Sequence, residues 1–302
     1  MTQFRHQNID LNILYTPDKK ELYKRVERAV NLGYDAVAIN YFVENIIQEK
    51  KSKKPKPTVV NPENIKLNKD DVKKLQEICP HFTQYTRCTW ILSDPAAAHF
   101  AQTHKEVQAY DIQAVLPTNE KVLHMACNQL EVDIISLDLT ESLGFHFKRT
   151  SIGVAIRRGL HFEIIYTPMI NDHFSRVNII CNAQSLISIC KNKNIILSSA
   201  CDNIMLLRAP ADVSNLCCLF DMNQSYRKAT VGKNCLNVLS RAETRKTAKG
   251  VIMIQKISDL KKHQRHLIPD SSSDSDVVDL NSDKDEESSS DEELICKKAK
   301  AE

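Results

Sequence analysis

The sequence contains 302 residues, and its hydrophobic content of 42% is enough to bury one large core or two modest ones. Its formal net charge is +3, but residues 270–302 carry a net charge of −8 and so leave +11 on residues 1–269, a distribution typical of proteins that bind polyanions. The ten cysteines form no CxxC pair, and neither a signal-peptide segment nor about 18 consecutive apolar residues occurs, so we expect an intracellular protein with reduced, buried thiols.

Short apolar runs rich in β-branched residues recur along the chain as far as Ala200, with helical patterns between them. Such runs are typical of parallel strands that are covered on both faces. We predict seven strands, from the runs IDLNIL near Ile9, YDAVAI near Tyr34, TRCTWIL near Thr86, YDIQAVL near Tyr110, VDIISLDL near Val132, FEIIY near Phe162 and NIILSSA near Asn194.

Helices are predicted between the strands from periodicity and capping residues. The first would begin with Thr16 as its cap and Pro17 in its first turn, and Gly33 would end it. A later apolar stripe between Ile179 and Cys190 also has helical spacing. About seven such alternations predict one α/β domain, either a barrel or a doubly wound sheet, and the number of strands favours a barrel without settling whether it is closed.

Two segments interrupt this alternation. Residues 44–80 include KKSKKPKP and lack a sustained apolar period, so we interpret them as a basic insertion or long loop. Residues 270–302 are rich in Ser, Asp and Glu, end in a short basic stretch, and are predicted to form a disordered tail. We therefore place the folded domain at residues 1–269.

Two short motifs in the tail suggest functions of their own. The serines that precede acids in SSSDSD and SSSDEE resemble sites for acidophilic kinases, and an unmodified solubilising tail is the alternative. Val277, Val278 and Leu280 lie among acids and resemble a SUMO-interacting motif, which would add as a strand to the edge of a partner's sheet. A chance apolar cluster in a disordered tail is equally compatible with this pattern.

The stretch SRAETRKTAKG, residues 240–250, concentrates positive charge near the end of the folded domain. Its cations Arg241, Arg245, Lys246 and Lys249 outnumber the single acid Glu243. Such a run is either a solvated helix face or a surface for a polyanion. We expect the reversal of Arg245 and Lys246 to Glu to keep a native thermal transition, because substitutions of exposed residues change stability by only about 0.5 kcal/mol.

Four segments resemble one known protein family when they are taken together and in order. They are FKRTSIGVAIRRGLHFEIIYTP, ICKNKNIILSSA, LRAPADVSNL and AETRKTAKG, and the earlier segments LGYDAVAIN, SDPAAA and AYDIQAVLP extend the similarity toward the N-terminus. On these residues the chain resembles the 30 kDa protein subunit of ribonuclease P and the related ribonuclease MRP. The resemblance fails in the basic insertion and in the tail.

The resemblance implies a TIM-barrel-like fold, similar to that of phosphoesterases of the polymerase-and-histidinol-phosphatase type. It also implies a place in a ribonucleoprotein that removes the 5′ leader from precursor tRNA, in the nucleus and nucleolus. The implied partners are the catalytic ribonuclease P RNA, the ribonuclease MRP RNA, precursor tRNA through the complex, a small ferredoxin-like protein subunit and the other ribonuclease P proteins.

The basic residues that match the family are candidate RNA contacts, because Arg and Lys side chains held on a rigid scaffold can meet phosphates. Several lie next to predicted strand ends, so we expect them to meet on one rim of the barrel. They are Lys148, Arg149, Arg158, Arg176, Arg208, Arg245 and Lys246, together with Arg241 from the same basic stretch.

An enzyme on the same barrel must be weighed against this RNA-binding role. Metal-dependent phosphoesterases need clustered His, Asp and Glu near strand ends, beginning with a His-x-His pair on the first strand, where this chain reads Asp-Leu-Asn. We therefore predict no catalytic residue, no metal site and no cofactor. The titratable residues that we interpret as structural are His124, His161, Asp111, Asp133 and Asp138.

Taken together, these patterns predict a non-catalytic, RNA-binding protein subunit of ribonuclease P, shared with ribonuclease MRP, in which the RNA performs the hydrolysis. A metal-dependent phosphoesterase or nuclease on the same barrel is the first alternative. A protein-only scaffold whose basic face meets acidic proteins is the second. Metal-dependent activity of the purified chain would favour the first alternative, and a complex that lacks RNA would favour the second.

Overall fold

The computed structural model describes residues 8–43, 59–95, 98, 102 and 104–248. Seven parallel strands pair in chain order, each with its neighbour in sequence, which confirms the seven predicted strands. The strands are β1 (Ile9–Leu14), β2 (Ala36–Val43), β3 (Thr83–Leu92), β4 (Ile112–Pro117), β5 (Ile134–Ser136), β6 (His161–Ile165) and β7 (Ile195–Ser198).

Helices connect the strands and cover the outside of the sheet. Short 3-10 turns lie at Ile204–Leu206 and Lys228–Thr230. Within the described residues the α-helices are α1 (Lys19–Asn31), α2 (Pro62–Ile65), α3 (Lys69–Ile78), α4 (Lys105–Gln108), α5 (Glu120–Asn128), α6 (Arg149–Arg157), α7 (Thr167–Asn171), α8 (His173–Cys190), α9 (Pro210–Leu216), α10 (Gln224–Arg227) and α11 (Lys233–Ala248).

The two outer strands of the sheet approach each other and nearly close a barrel. A single bridge joins Ile13 of β1 to Cys201, which follows β7, and the Ala200 N–H donates to the Asn12 carbonyl at 2.8 Å. The fold is therefore a TIM-barrel-like α/β domain with seven strands, and the barrel, whose closure periodicity left open, is nearly closed by this single bridge.

Two local predictions differ from the structure. Asp18, not Thr16, caps α1, because its carboxylate accepts the Lys20 N–H at 2.9 Å and Pro17 precedes the helix. Gly33 follows α1 with φ of +98°, as a glycine at a helix end allows. Residues 44–80 are not a loop throughout, since α2 and α3 occupy part of them. Residues 44–58 and 249–302, with the tail motifs, lie outside the described residues.

One apolar layer inside the barrel is covered by α11. Four side chains spaced three and four apart on this helix pack against inward-facing residues of the strands: Cys235, Val238, Leu239 and Ala242. The Ile9 N–H donates to the Val231 carbonyl at 2.8 Å, and the Asn234 amide donates to the first carbonyl of β7 at 2.7 Å. Because both contacts are at strand starts, α11 lies across the amino-terminal end of the barrel.

The described cysteines agree only in part with the prediction of reduced, buried thiols. Six of the nine described cysteines are buried and none of the nine is disulfide-bonded, but Cys181 and Cys218 are exposed, which corrects the prediction of buried thiols there. Within the described ranges, no helix is long and apolar enough to cross a membrane.

Candidate nucleic-acid interface

The basic stretch at the end of α11 binds carboxylates at the amino-terminal end of the barrel. Arg245 donates to Asp133, with Nη2–Oδ2 at 3.0 Å and Nε 3.2 Å from both oxygens, and Nη2 also lies 3.2 Å from the Asp111 carbonyl. The Asp133 side chain is fully buried, and only 12% of the Arg245 side chain is exposed. Arg245 therefore compensates a buried charge, so the prediction that this cation is exposed is wrong, and we now expect its reversal to destabilise the fold.

Lys246 makes a second pair of this kind. Its Nζ lies 2.7 Å from Asp111 Oδ1, and the same carboxyl group accepts the N–H and the hydroxyl of Thr86 at 2.9 Å each. Burial by itself raises the pKa of Asp111, but the charge and hydrogen bond of Lys246 and the bonds from Thr86 lower it below its ordinary value. Asp111 is thus held ionised and links α11 to the start of β4.

Arg241 and Arg158 complete this network. Arg241 Nε donates to the Val132 carbonyl at 3.1 Å, and its Nη1 donates to the Arg158 carbonyl. The Arg158 guanidinium in turn donates to the carbonyls of Cys127 at 2.9 Å and Leu130 at 2.6 Å. These carbonyls lie at the end of α5, where helical carbonyls lack partners of their own, so Arg158 caps that helix.

An acid and a cleft accompany these arginines. Glu131 contacts Arg158 at 3.1 Å and Arg241 at 3.6 Å, so both guanidinium groups have a carboxylate partner. Burial lowers the pKa of Arg241 from its usual value. A cleft of about 400 Å³ lies beside them, lined by Gln102, Gln108, Gln113, Glu131, Arg245 and Lys246.

Three of the other four candidate RNA contacts lie at the opposite end of the barrel: Lys148, Arg149 and Arg176. Arg149 begins α6, which follows β5, Lys148 is the cap residue before it, and both are exposed. Lys148 pairs with Glu120 at 2.8 Å on the surface, with 64% of its own side chain exposed. An α-helix of this length rises about 14 Å. The expectation of a single basic rim is therefore wrong, because the predicted contacts divide between two ends.

Arg176 and Arg208 hold the loops that follow β6 and β7, and the Arg208 carbonyl also accepts a hydrogen bond from the hydroxyl of Tyr34, just before β2, at 3.1 Å. Arg176 Nε donates to the Met169 carbonyl at 2.8 Å, and Arg208 Nη1 donates to the Met205 carbonyl at 2.8 Å. Arg208 is also anchored through its main chain, since the Tyr166 hydroxyl accepts its N–H at 3.1 Å. Both arginines brace the segments that follow β6 and β7, and Arg176 remains exposed.

A buried ion pair occupies the barrel above the apolar layer, toward the carboxyl ends of the strands. Arg87 of β3 and Glu163 of β6 make two hydrogen bonds of 2.5 Å, and both side chains are fully buried. Burial by itself raises the pKa of Glu163, but the charge and hydrogen bonds of Arg87 lower it below its ordinary value. The sequence reasoning missed this pair, although a charged residue inside each of two apolar strands indicates a buried partner.

Neutral polar side chains complete the network around the ion pair. Asn12 donates to Glu163 at 3.2 Å, and Asn40 donates to Asn12 at 2.8 Å. Thr89 accepts from Arg87 at 3.1 Å and donates to Asn40 at 2.8 Å. The register of β1 shifts between Asp10 and Ile13, next to Asn12, where the Asp-Leu-Asn sequence lies.

The carboxyl-terminal end of a β/α barrel is where enzymes of this fold build their active sites. Here Arg87 donates a hydrogen bond to each carboxylate oxygen of the inward-facing Glu163, so that carboxylate already has a cationic partner. Asp10, which is also buried, accepts N–H groups of Asn12 at 3.0 Å and Ser199 at 3.3 Å. Within the part of the chain that the structure describes, no three His, Cys, Asp or Glu side chains converge as metal ligands.

The remaining titratable candidates have structural surroundings. His161 is buried, its Nδ1 lies 3.1 Å from the Gly159 carbonyl, and burial lowers its pKa to about 4. Asp138 accepts the N–H and the hydroxyl of Thr140 at 3.0 and 2.6 Å, which forms a local turn. His124 is exposed on α5.

Comparison with known proteins identifies relatives over most of the described barrel. The family described as RNase P subunit p30 matches residues 7–247. The ribonuclease P protein subunit p30 of Mus musculus is 41% identical over 246 residues, which are 80% of this chain and 88% of the mouse protein. The ribonuclease P/MRP protein subunit RPP1 of Saccharomyces cerevisiae is 28% identical over 214 residues, which are 65% of this chain and 69% of the yeast protein.

A solved structure shares the fold. A chain in the cryo-EM structure of archaeal ribonuclease P with mature tRNA superposes with a TM-score of 0.54 at 14% identity. The superposition covers 82% of this chain and 98% of the archaeal one. It supports the barrel architecture independently of the strand pairing.

Proposed function

Because the chain belongs to the RNase P subunit p30 family, we propose that it is a non-catalytic, RNA-binding protein subunit of ribonuclease P. The observation that carries this proposal is the family match from residue 7 to residue 247, which includes every strand of the barrel. In such a particle the RNA hydrolyses the phosphodiester bond that joins the 5′ leader to precursor tRNA, and the protein supplies a rigid, basic scaffold. The net charge of +11 on residues 1–269 supports this role, since phosphate contacts dominate RNA affinity.

Contacts with the RNA are proposed for cations that remain exposed. Lys148, Arg149 and Arg176 lie at the carboxyl-terminal end with their charges near solvent. Arg158, Arg241, Arg245 and Lys246 are engaged with carbonyls or carboxylates, so only their remaining N–H groups could meet a phosphate. The name of the yeast relative supports a second proposal, that the chain is shared with ribonuclease MRP. We propose the nucleus and nucleolus as its location.

The direct test is to purify the tagged full chain under native conditions and sequence the RNA that accompanies it. Recovery of ribonuclease P RNA, together with 5′ processing of precursor tRNA by the purified particle, is the expected result. A stable complex that resists nuclease and contains no RNA would favour a protein-only scaffold. Hydrolysis of RNA by the isolated chain with a divalent metal would favour a phosphoesterase, which the bound Arg87–Glu163 pair argues against.

We further propose that the small ferredoxin-like subunit docks on an exposed apolar patch at the carboxyl-terminal end. The patch consists of Phe174, Val177 and Met205, whose exposed fractions are 80%, 50% and 75%. Phe174 and Val177 lie in the first two turns of α8, and Met205 lies in the 3-10 turn after β7. The short helix α7, between β6 and α8, contacts both of these elements. Exposed apolar side chains of this size mark protein interaction sites.

A pull-down with the purified ferredoxin-like subunit tests this docking. The double substitution Phe174→Glu and Met205→Glu should abolish most of the binding while leaving the fold intact, because both side chains are exposed. Ile78→Glu on α3, where the side chain is 51% exposed, is the matched control and should bind as the unmodified chain does. Equal binding by the double variant and the control would place the subunit elsewhere.

A further inference from the structure

Five cations lie close to one another in the fold at the amino-terminal end of the barrel. We name them the β7 basic patch and define it as Lys191, Lys193, Arg227, Lys228 and Lys233. The four lysines are exposed, and within the described residues no carboxylate lies in ion-pair distance of any of the five. This group differs from the basic end of α11, whose cations are bound to buried acids.

Two hydrogen bonds join the chain segments that carry the patch. Residues 191–195 form the turn into β7, and residues 222–234 form α10, the 3-10 turn and the start of α11. The Asn223 N–H donates to the Asn192 side-chain oxygen at 3.2 Å, and the Asn234 amide donates to the first carbonyl of β7 at 2.7 Å. The cations of the two segments are therefore neighbours in space.

The patch is a concentrated positive charge. Neither segment contains Asp or Glu, and the nearest acid in sequence, Asp221, just precedes the second one. Like charges repel each other within the screening length of the salt, which is about 8–10 Å at physiological ionic strength. The patch therefore does not stabilise the fold, and its charge distribution is that of a surface that meets a polyanion.

The turn of residues 191–194 and the anchored side chain of Arg227 fix the position of the β7 basic patch. Lys191, Asn192 and Asn194 have φ of 54°, 63° and 53°, so three residues other than glycine adopt the left-handed conformation in one turn. Lys191 ends α8 at a position where glycine is favoured, and a lysine there keeps a charge at the cost of strain. Arg227 is anchored, since its Nε donates to the Met222 carbonyl at 2.9 Å.

We propose that the β7 basic patch binds the phosphate backbone of the catalytic RNA, an inference that rests on the proposed function. Lysines act as point charges on flexible stems, so they bind phosphates without selecting a base. A cleft of about 740 Å³ adjoins the patch and is lined by Arg227 and Lys228 with Asn8, Asn215 and Gln224. Its amides can hydrogen-bond 2′-hydroxyl groups, so the surface fits RNA recognised by shape.

The test compares two variants that lose the same charge. The patch variant replaces Lys191, Lys193, Lys228 and Lys233 with Gln and keeps the anchored arginine. The control variant replaces four other exposed lysines with Gln on α1 and α3: Lys24, Lys69, Lys73 and Lys74. Each full chain is titrated with in vitro transcribed ribonuclease P RNA at several salt concentrations, after urea unfolding has shown that both variants are folded.

The salt dependence separates contact from net charge. Each lost phosphate contact reduces the slope of log affinity against log salt by roughly 0.7–0.9, so the patch variant should lose about 3 units of slope and roughly tenfold or more in affinity at low salt. The control variant should change much less. Equal losses in both variants, or an unchanged slope in the patch variant, would overturn the proposal while RNA binding by the unmodified chain still supports the proposed function.

Crosslinking of the unmodified complex gives a measurement that depends on no variant. Peptides covering residues 191–195 and 222–234 should crosslink to the RNA, and peptides from α3 should not. Crosslinks confined to other regions would overturn the β7 basic patch as the contact. Failure of the unmodified chain to bind this RNA at all would overturn the proposed function as well.

Discussion

Charge reversal at Arg245 should destabilise the fold before it affects any RNA. The substitution Arg245→Glu removes the nearest cation from the fully buried Asp133 and places a second carboxylate beside it, and only Arg241, 4.0 Å away, remains as a cationic partner. Removing one partner of a buried ion pair costs about 3–5 kcal/mol. For a domain of this size each kcal/mol shifts the melting temperature by about 2–4 °C, so we expect a decrease of about 6–20 °C in thermal unfolding.

A matched charge reversal distinguishes the buried pair from a general charge effect. Arg149→Glu changes the same charge on an exposed side chain, and it should alter the free energy of unfolding by only about 0.5 kcal/mol. A double-mutant cycle of Arg245→Met and Asp133→Asn, measured by urea unfolding, would give the coupling of the two groups directly. An Arg245→Glu protein as stable as the Arg149→Glu protein would refute the reasoning, and the pair would then contribute nothing to the fold.

Three further outcomes are expected. Arg87→Leu should lower the free energy of unfolding by about 3–5 kcal/mol, because it leaves Glu163 buried without its cation. Arg28→Leu, on the exposed face of α1, should change the free energy of unfolding little. Similar unfolding curves for the two variants would contradict this prediction. Burial lowers the pKa of His161 to about 4, so as the pH falls below about 6.5 the unfolded chain takes up a proton that the folded chain does not. From pH 7 to pH 5 the free energy of unfolding should therefore fall by about 2 kcal/mol more in this protein than in His161→Phe. Parallel pH profiles of the two proteins would disprove this prediction. Calorimetric titration of the free chain with Mn²⁺ or Zn²⁺ should reveal no stoichiometric submicromolar site on the barrel, and a site lined by strand-end residues would revive the phosphoesterase.

The order of the strands could be predicted from the sequence because each strand is buried on both faces. Runs such as YDAVAI and NIILSSA have no polar face, and parallel strands between helices are the arrangement that buries them. The near-closure of the barrel could not be predicted, since it depends on a contact between Ile13 of the first strand and Cys201, which follows the last strand. The cap of α1 was misplaced by two residues because Thr16, Pro17 and Asp18 all have helix-start character.

The candidate site was harder to predict because a charge pattern does not show what each charge contacts. The sequence pattern predicts that Arg241 and Arg245 are exposed cations. Their partners in the fold, Glu131 and Asp133, lie more than a hundred residues earlier in the chain. Periodicity places a residue on a face of its own helix, but it does not bring two distant segments together. A buried ion pair at Arg87 could have been predicted from the sequence, because an arginine inside an apolar strand requires a buried acid.

The two groups of cations at the amino-terminal end therefore have different consequences for RNA binding. To give its whole guanidinium to a phosphate, Arg245 would have to leave the buried Asp133 with only the longer Arg241 contact at 4.0 Å, and breaking a buried ion pair costs about 3–5 kcal/mol. A solvated lysine of the β7 basic patch gives up only water and screening ions, whose release favours binding. The basic stretch of α11 thus fixes that helix across the barrel, and the neighbouring patch is free to bind. Substitutions in the stretch should lower RNA affinity mainly by unfolding the amino-terminal end, and substitutions in the patch should lower it in a fully folded protein.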